Sequence, residues 1–392
     1  MEKEIKVACT GCCLADFLYA DIDVSKSNVK QYLSVKNSDG GIMPGKLIFT
    51  DDLECFANEK IDDIIDNITE NSLPDVFNLG GPAIVALVGA AQLLAGQPVE
   101  FDFYGVAGDD DTGEKLYELM KQLPINLDNY HFKSGTTANT IVLSDPRLND
   151  GKGERAFINN LGVSRDYQPE DLGEKFFAAD VLIFGATALV PQLHNNLTSL
   201  LRKGRECGRV NIVTTVYDFI SEKAKPDQAW PLGESAESYQ LLDLLLVDYE
   251  EALRLSNKST LTQAIDFFIG QGVGAMVITH GSKSITFFSN GSLFKATAPA
   301  ELPICQATDR ELARHPEIKG DTTGCGDNFA GGVIYSLVSQ LVHLKRGELD
   351  LAETVSWGAV AGGFTRFYIG GTYFEQTPGE KLAKLKPFYA AY

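Results

Sequence analysis

Three continuous apolar runs in the second half of the chain constrain the fold most strongly. They cover residues 181–185, 210–216 and 242–247, and segments with a helical pattern separate them. Continuous apolar runs are typical of parallel strands, because helices cover both faces of such a sheet. The alternation predicts an α/β fold of the doubly wound kind, with a mainly parallel sheet flanked by helices.

Composition limits the partners that the chain can bind. The 392 residues are 44% hydrophobic, enough for a large core, and their formal net charge is −19. Nucleic acids and anionic membrane surfaces bind basic patches, so we expect small-molecule partners and neither of these. The seven cysteines are odd in number, and the N-terminal residues lack a signal-peptide pattern. We therefore expect free thiols and a cytoplasmic location, and the oligomeric state, a homodimer included, stays open.

A glycine-rich stretch at residues 320–332 leads into a segment with helical periodicity. Its apolar residues recur at Phe329, Val333, Ile334, Leu337, Val338 and Leu341. Gly324 and Gly326 would then lie at the start of a helix, where unpaired N–H groups and the helix dipole attract an anion. Asp327 follows in the first turn, where a carboxylate could accept a proton from an attacking hydroxyl group. A helix cap and a simple turn are the alternative interpretation of these residues.

The run at residues 321–327, Asp-Thr-Thr-Gly-Cys-Gly-Asp, resembles the second signature of the ribokinase-like (PfkB) carbohydrate kinases. The resemblance implies that Asp327 is the catalytic base. It also implies that the backbone of Gly324, Cys325 and Gly326 forms an anion hole for the transferred phosphoryl group. The chain contains no Gly-x-x-x-x-Gly-Lys-Ser/Thr loop, so any nucleotide must be held in another way.

Two further segments match the family near its substrate. Residues 11–16 fit the spacing of a Gly-x-x-x-x-Asp strand, and the pair Gly80-Gly81 fits a diglycine that precedes a helix. The resemblance implies that Asp16 contacts sugar hydroxyl groups and that the backbone of Gly80 and Gly81 approaches the sugar closely.

The resemblance also implies positions for the cofactors ATP and Mg²⁺. Thr279 and Gly281 match a turn beside the nucleotide, and Glu251 matches a carboxylate that acts near magnesium through bound water. Asp248 replaces the asparagine of the family three residues earlier, and both side chains can bind metal-bound water. The positions that match a monovalent-cation site, which could bind K⁺ through backbone carbonyls, are Asp321 and Thr323.

We expect a single ribokinase-like kinase domain over residues 1–392. A small β-sheet lid is expected from about residues 17–50 and 135–160, with a strand pair within residues 21–35. The strongly acidic segment at about 37–76 is longer than is usual in the family, so we interpret it as an insertion. An amphipathic helix within it is indicated by Ile61, Ile64, Ile65 and Ile68.

The combined motifs predict an ATP-dependent kinase that phosphorylates a hydroxyl group of a small sugar or sugar-like substrate. A nucleoside kinase of the same fold is an alternative, because the family asparagine after the diglycine is replaced here by the apolar Ile84 or Val85, and a nucleobase prefers apolar walls. A second alternative, from another class, is a non-catalytic sugar or nucleotide sensor. The presence of Asp327 argues against a sensor, which needs no proton acceptor.

Overall fold

The computed structural model describes residues 4–36, 39–151, 153–318 and 320–392. In this part of the chain the strands form a nine-stranded sheet and a five-stranded sheet. In chain order the strands are β1 (Ile5–Gly11), β2 (Leu14–Tyr19), β3 (Leu47–Phe49), β4 (Val76–Gly80), β5 (Val99–Gly108), β6 (Tyr130–Lys133), β7 (Asn139–Asp145), β8 (Glu154–Asn160), β9 (Val181–Gly185), β10 (Val210–Thr214), β11 (Leu244–Asp248), β12 (Ala275–Thr279), β13 (Ile285–Ser289) and β14 (Thr297–Leu302).

The helices connect and flank these strands. In chain order they are α1 (Ser27–Lys30), α2 (Thr50–Ala57), α3 (Ile61–Thr69), α4 (Pro82–Leu93), α5 (Asp111–Met120), α6 (Leu148–Gly151), α7 (Gly173–Ala178), α8 (Pro191–His194), α9 (Leu197–Glu206), α10 (Phe219–Ala224), α11 (Glu237–Leu241), α12 (Tyr249–Ser256), α13 (Leu261–Gly270), α14 (Gln306–Arg314), α15 (Cys325–His343), α16 (Leu351–Phe364) and α17 (Glu380–Ala390). Within the described ranges, no helix is both long enough and apolar enough to cross a bilayer.

The large sheet has the order β14-β13-β12-β11-β10-β9-β1-β5-β6. Its strands from β12 to β6 pair in parallel, and β13 and β14 add an antiparallel edge. Its two faces bury separate cores: in β1, Val7 and Cys9 pack on one side with α4 and α15, and Ala8 packs on the other side with α9 and α13. The doubly wound fold predicted from the three apolar runs is confirmed, and these runs form β9, β10 and β11.

The small sheet has the order β3-β8-β7-β2-β4 and mixes parallel with antiparallel pairs. One of its strands, β4, comes from residues 76–80, outside the segments predicted for the lid. The strand pair predicted within residues 21–35 is wrong, because the helix α1 lies there instead. Val29 of α1 is buried, and Ile22 and Tyr32, which lie outside the helix, pack in the same apolar cluster.

Helices from the acidic segment cover one face of the small sheet. The amphipathic helix predicted around Ile64 is present as α3, and it buries Ile64 together with Leu143 of β7 and Ile158 of β8. The next residue along β8, Asn159, points to the opposite face because side chains alternate along a strand. The small sheet therefore has an apolar outer face under the helices and a separate inner face.

Helices α15 and α16 pack at very short distance, and glycines make this possible. A Cβ atom placed on Gly332 would lie 2.8 Å from the Cβ of Ala361 and would also overlap the backbone of Trp357. Gly332 belongs to the same helix as Asp327, so this contact fixes the axis of the helix that begins at the glycine-rich stretch.

We predict that Gly332→Ala lowers the free energy of unfolding by about 1–3 kcal/mol, because the added methyl group overpacks a closed interface. Gly270→Ala is the matched control, since Gly270 also lies in a helix but has no atom within 4 Å of an added Cβ. Urea denaturation of both variants measures the effect. Equal stabilities for the two variants would contradict the close packing of α15 against α16.

Candidate active site

The N-terminus of α15 opens into a cleft. Gly324 caps the helix with φ of 75°, and a Cβ atom on it would lie 2.5 Å from the Cα of Gly371. In the described part of the chain, the amide groups of Gly326 and Asp327 donate no hydrogen bond, as expected for a first helical turn. A side chain on Gly326 would meet no atom within 4 Å. These amide groups therefore face free space, in which an anion could bind.

The cleft has a volume of about 650 Å³ and is open to solvent. It lies at the carboxyl ends of the parallel strands, where ligands bind in open α/β sheets. The lining residues that the sequence singled out are Gly326, Asp327, Asp248, Glu251 and Thr279. The structure thus brings together residues that are up to 79 positions apart in sequence, as between Asp248 and Asp327.

Asp327 is half-buried in the first turn of α15. Burial raises the pKa of its carboxyl group to about 6, because a poorly solvated carboxylate holds its proton more tightly. The group remains ionised at neutral pH and is a stronger base than an exposed aspartate. Such a group can accept a proton from a hydroxyl group that binds beside it.

Asp16 lies in β2 of the small sheet and faces the same region. The pKa of its carboxyl group rises to about 7, first through burial and then through the negative charges of Asp327 and Asp321. Any Cβ atom on Gly80 would overlap the carboxylate of Asp16, and Gly81 has φ of 101° beside the carbonyl of Cys12. The diglycine is therefore required for the close approach of β4 to β2, whether or not it also contacts a ligand.

Four polar residues form a row across the inner face of the small sheet. The strand register pairs Asn78 with Asp16, Asp16 with Thr140, and Thr140 with Asn159. Paired residues point to the same face, so the row crosses β4, β2, β7 and β8 in turn. Asn159 donates from Nδ2 to the Oγ1 of Thr140 at 2.9 Å, and its buried Oδ1 has no hydrogen-bond partner in the described chain. We call these four residues the polar row.

Arg155 of β8 bridges the small sheet to the glycine-rich stretch. Its guanidinium donates to the carboxylate of Asp321 at 3.3 Å, to the hydroxyl group of Thr323, and to that of Thr322 at 3.2 Å. The other oxygen of Asp321 accepts from the amide of Thr323 at 2.9 Å and from that of Gly370 at 3.3 Å. Asp321 thus binds protein donors through its side chain, and a cation site at the backbone carbonyls of Asp321 and Thr323 stays a prediction.

Asp248 and Glu251 form a reciprocal cap at the start of α12. Asp248 Oδ1 accepts from the Glu251 amide at 2.8 Å, and Glu251 Oε2 accepts from the Asp248 amide at 3.1 Å and from Thr215 Oγ1 at 2.5 Å. Burial and then the charge of Asp248 raise the pKa of Glu251 to about 7. Among the described residues no three or more His, Cys, Asp or Glu side chains gather as a metal site. The pair would therefore hold Mg²⁺ only together with water or phosphate oxygens.

The turn predicted to lie beside the nucleotide follows β12. Thr279 is the last residue of that strand and lines the cleft, whereas Gly281 is exposed with φ of 56°. Between them, the ring of His280 stacks on Tyr249 with 4.0 Å between the ring centres. This contact links the turn to the start of α12 beside Asp248.

Sequence reasoning misplaced one pair of residues and missed several others. Ile84 and Val85 are buried in the main core and do not line the cleft, so they offer no wall for a nucleobase. Arg155, Asn78 and Thr140 were missed, because only the strand register and the packing of the two sheets bring them together. The one available signal for Arg155 was a basic residue within the segment predicted for the lid, at about residues 135–160.

Comparisons with known proteins identify the family. The chain matches the model of the pfkB family of carbohydrate kinases over residues 74–378. It is 23% identical over 343 residues to "Probable fructokinase-4" of Arabidopsis thaliana, which covers 84% of this chain and 95% of that protein.

Solved structures with the same fold cover nearly the whole chain. Adenosine kinase from Sinorhizobium meliloti superposes with a TM-score of 0.66 at 18% identity, over 98% of this chain and 100% of that one. A putative ribokinase II from E. coli, in complex with ATP and Mg²⁺, superposes with a TM-score of 0.63 at 14% identity, over 99% of this chain and 100% of that one. These likenesses show the ribokinase-like fold. Because the family match covers most of the sequence, the chain belongs to the pfkB family of carbohydrate kinases.

Proposed function

We propose that the protein transfers the γ-phosphoryl group of ATP to a hydroxyl group of a small sugar or sugar-like polyol. One observation carries the proposal: Asp327 lies at the unpaired amide groups of α15, and Asp16 faces it from the polar row of the other sheet. A base beside an anion-binding helix end suits phosphoryl transfer. A carboxylate in a row of amide and hydroxyl groups suits a polyol. The family membership favours an enzyme over a non-catalytic sensor.

The transfer requires a base, a site for negative charge and a fixed acceptor. In our account Asp327 accepts the proton of the acceptor hydroxyl group while the oxygen of that hydroxyl group bonds to the γ-phosphorus. The bond from that phosphorus to the bridging oxygen breaks, which gives ADP and a phosphate ester. The amide groups at Gly326 and Asp327 donate to the phosphoryl oxygens, and Arg155 adds a positive charge beside the same helix end. These donors are in place before the reaction, so little reorganisation is needed.

The residues beside the cleft fit Mg-ATP. When bound, magnesium would neutralise negative charge on the phosphate oxygens. Asp248 and Glu251 would hold the hydrated ion at the carboxyl end of β11, and each has oxygen ligands of the kind that magnesium prefers. Thr279, at the end of the neighbouring strand, would lie along the nucleotide.

The polar row supports a sugar over a nucleoside. Asn78, Thr140 and Asn159 are at most 7% exposed, and a polar face of this kind would leave a flat apolar base without matching contacts. A sugar hydroxyl group could instead donate to the unpaired Oδ1 of Asn159 or to the carboxylate of Asp16. A nucleoside kinase would need another apolar surface to contact the nucleobase, since Ile84 is in the core.

We predict that Asp327→Asn lowers kcat by about 100-fold or more, because a positioned base is lost while the shape of the side chain is kept. ADP release is measured with the acceptor and ATP saturating. ATP affinity and the melting temperature should remain close to those of the wild type. A variant with near-normal turnover would show that another group accepts the proton.

We predict that kcat/KM for the acceptor falls as pH is lowered through about 6–7. The pKa values of Asp327 and Asp16 are raised to about 6 and about 7, so both carboxyl groups gain protons in this range and lose their ability to accept. An exposed aspartate, with a pKa near about 4, would leave the rate unchanged there. The pH–rate profile with the melting temperature followed in parallel makes this distinction, and a flat profile down to about pH 5 would contradict the assignment.

We predict that Asp16→Ala lowers kcat/KM for the acceptor by roughly 10- to 100-fold, and Asn159→Ala by about 10-fold, with KM for ATP nearly unchanged. Each change removes hydrogen bonds to the acceptor and none to ATP. Asn28→Ala is the matched control, because its amide bonds to Asn67 among the helices that cover the outer face. Equal losses for both substrates would indicate a folding defect, and no loss for either would remove the polar row from the substrate site.

A further inference from the structure

Lys381 of α17 is buried at 1% exposure. Its Nζ donates to Asn328 Oδ1 at 2.8 Å and to Gln92 Oε1 at 3.2 Å. Within the described ranges no carboxylate lies at ion-pair distance from this ammonium, and Glu375 binds the backbone amide of Lys381 instead. Burial lowers the pKa of Lys381 to about 7. A buried charge without a carboxylate is costly, so an apolar side chain of equal length would fill this space at lower cost.

The ammonium determines how the amide of Asn328 is oriented. Nζ donates to Asn328 Oδ1 and to Gln92 Oε1, so the lysine faces the oxygen of the Asn328 amide and not its Nδ2. Nδ2 is thereby directed to two backbone carbonyls, Gly324 O at 3.0 Å and Gly371 O at 2.7 Å. If the amide turned round, its two donors would face the ammonium and its oxygen would face two carbonyl oxygens.

The backbone segments that contain Gly324 and Gly371 meet at the N-terminus of α15. A Cβ atom on Gly324 would lie 2.5 Å from Gly371, and Asn328 bonds to both from the helix that carries Asp327. The amide groups of Gly326 and Asp327, which we assign to the anion hole, lie in the helical turn that Gly324 caps. A shift of Gly324 would therefore move them relative to Asp327.

Three helices meet at this ammonium. Gln92 belongs to α4, which follows the diglycine, Asn328 belongs to α15, and Lys381 belongs to α17. Gly89 of α4 also borders this contact, since a Cβ atom there would lie at van der Waals distance from Nζ, 3.4 Å, and from Asn328 Oδ1, 3.5 Å. The ammonium thus connects the C-terminal helix with both segments that border the proposed site.

We propose that Lys381 is a positioning residue for phosphoryl transfer, which holds the anion hole in place by orienting Asn328. This rests on the proposed role of the amide groups after Gly324. Lys381 touches neither the cleft nor a substrate, and it acts through the backbone at Gly324 and Gly371.

The test is the kinetics and stability of Lys381→Met. We expect kcat to fall by about 10-fold or more, as for small misplacement of catalytic groups, with acceptor KM little changed. The melting temperature should change little, because the removal of a buried charge offsets the loss of the donor to Asn328 and Gln92. A residue with a purely structural role would lower the melting temperature and leave kcat unchanged in the folded fraction.

Two further variants separate the partners. Lys384→Met is the matched control, since Lys384 lies on the same helix, is half-exposed and pairs with Glu380 at 2.7 Å; we expect wild-type kcat. Asn328→Asp keeps an acceptor for Lys381 but removes the donor to Gly324 and Gly371, so kcat should fall with Lys381 intact. If Lys381→Met does not fold, Lys381→Leu replaces it, because leucine also lacks a donor for Asn328, and the same loss of kcat is expected.

Unchanged kcat in folded Lys381→Met or Lys381→Leu would overturn the proposal. Wild-type protein that transfers no phosphoryl group to any acceptor would contradict the proposed function instead. In that case the link is measured without activity, from the backbone amide NMR signals of Gly324 and Gly371. These signals should shift in Lys381→Met and not in Lys384→Met, and identical spectra would refute the link.

Discussion

The contact between Gly324 and Gly371 fixes where α15 begins, and most of the proposed chemistry depends on it. With φ of 75° and no room for a Cβ atom, Gly324 turns the chain so that the next amide groups point into the cleft. Asp327 follows in the same turn, so the base and the anion-binding groups share one rigid element. Any residue other than glycine at position 324 would separate the two segments and tilt this helix end.

The small sheet provides the residues to which we assign the selection of the acceptor, which the N-terminus of α15 does not provide. Asp327 can accept a proton and the amide groups can bind negative charge, but neither selects an acceptor. Selection is assigned to the polar row, which the strand register places on the inner face while α3 covers the outer one. Arg155 joins the two parts through its ion pair with Asp321, where the small sheet meets the stretch before α15.

The sequence predicted the main sheet well because its signal is local. Continuous apolar runs become β9, β10 and β11, and the isoleucine spacing becomes α3. The lid was harder, since residues 21–35 alternate only weakly and form turns around the short helix α1. The polar row could not be foreseen, because Asn78 and Asn159 are brought together by register between strands far apart in the chain. Lys381 was missed for another reason, because a lysine in an amphipathic C-terminal segment is ordinarily exposed.

The most direct test of the account is the identity of the phosphorylated product. The wild-type protein is incubated with Mg-ATP and one acceptor at a time, taken from a panel of hexoses, pentoses, polyols and nucleosides. The products are followed by ³¹P NMR. The account predicts that a sugar or polyol yields a phosphate ester in an amount equal to the ADP formed, while nucleosides yield none. ADP formation without any ester, or an ester from a nucleoside alone, would contradict it.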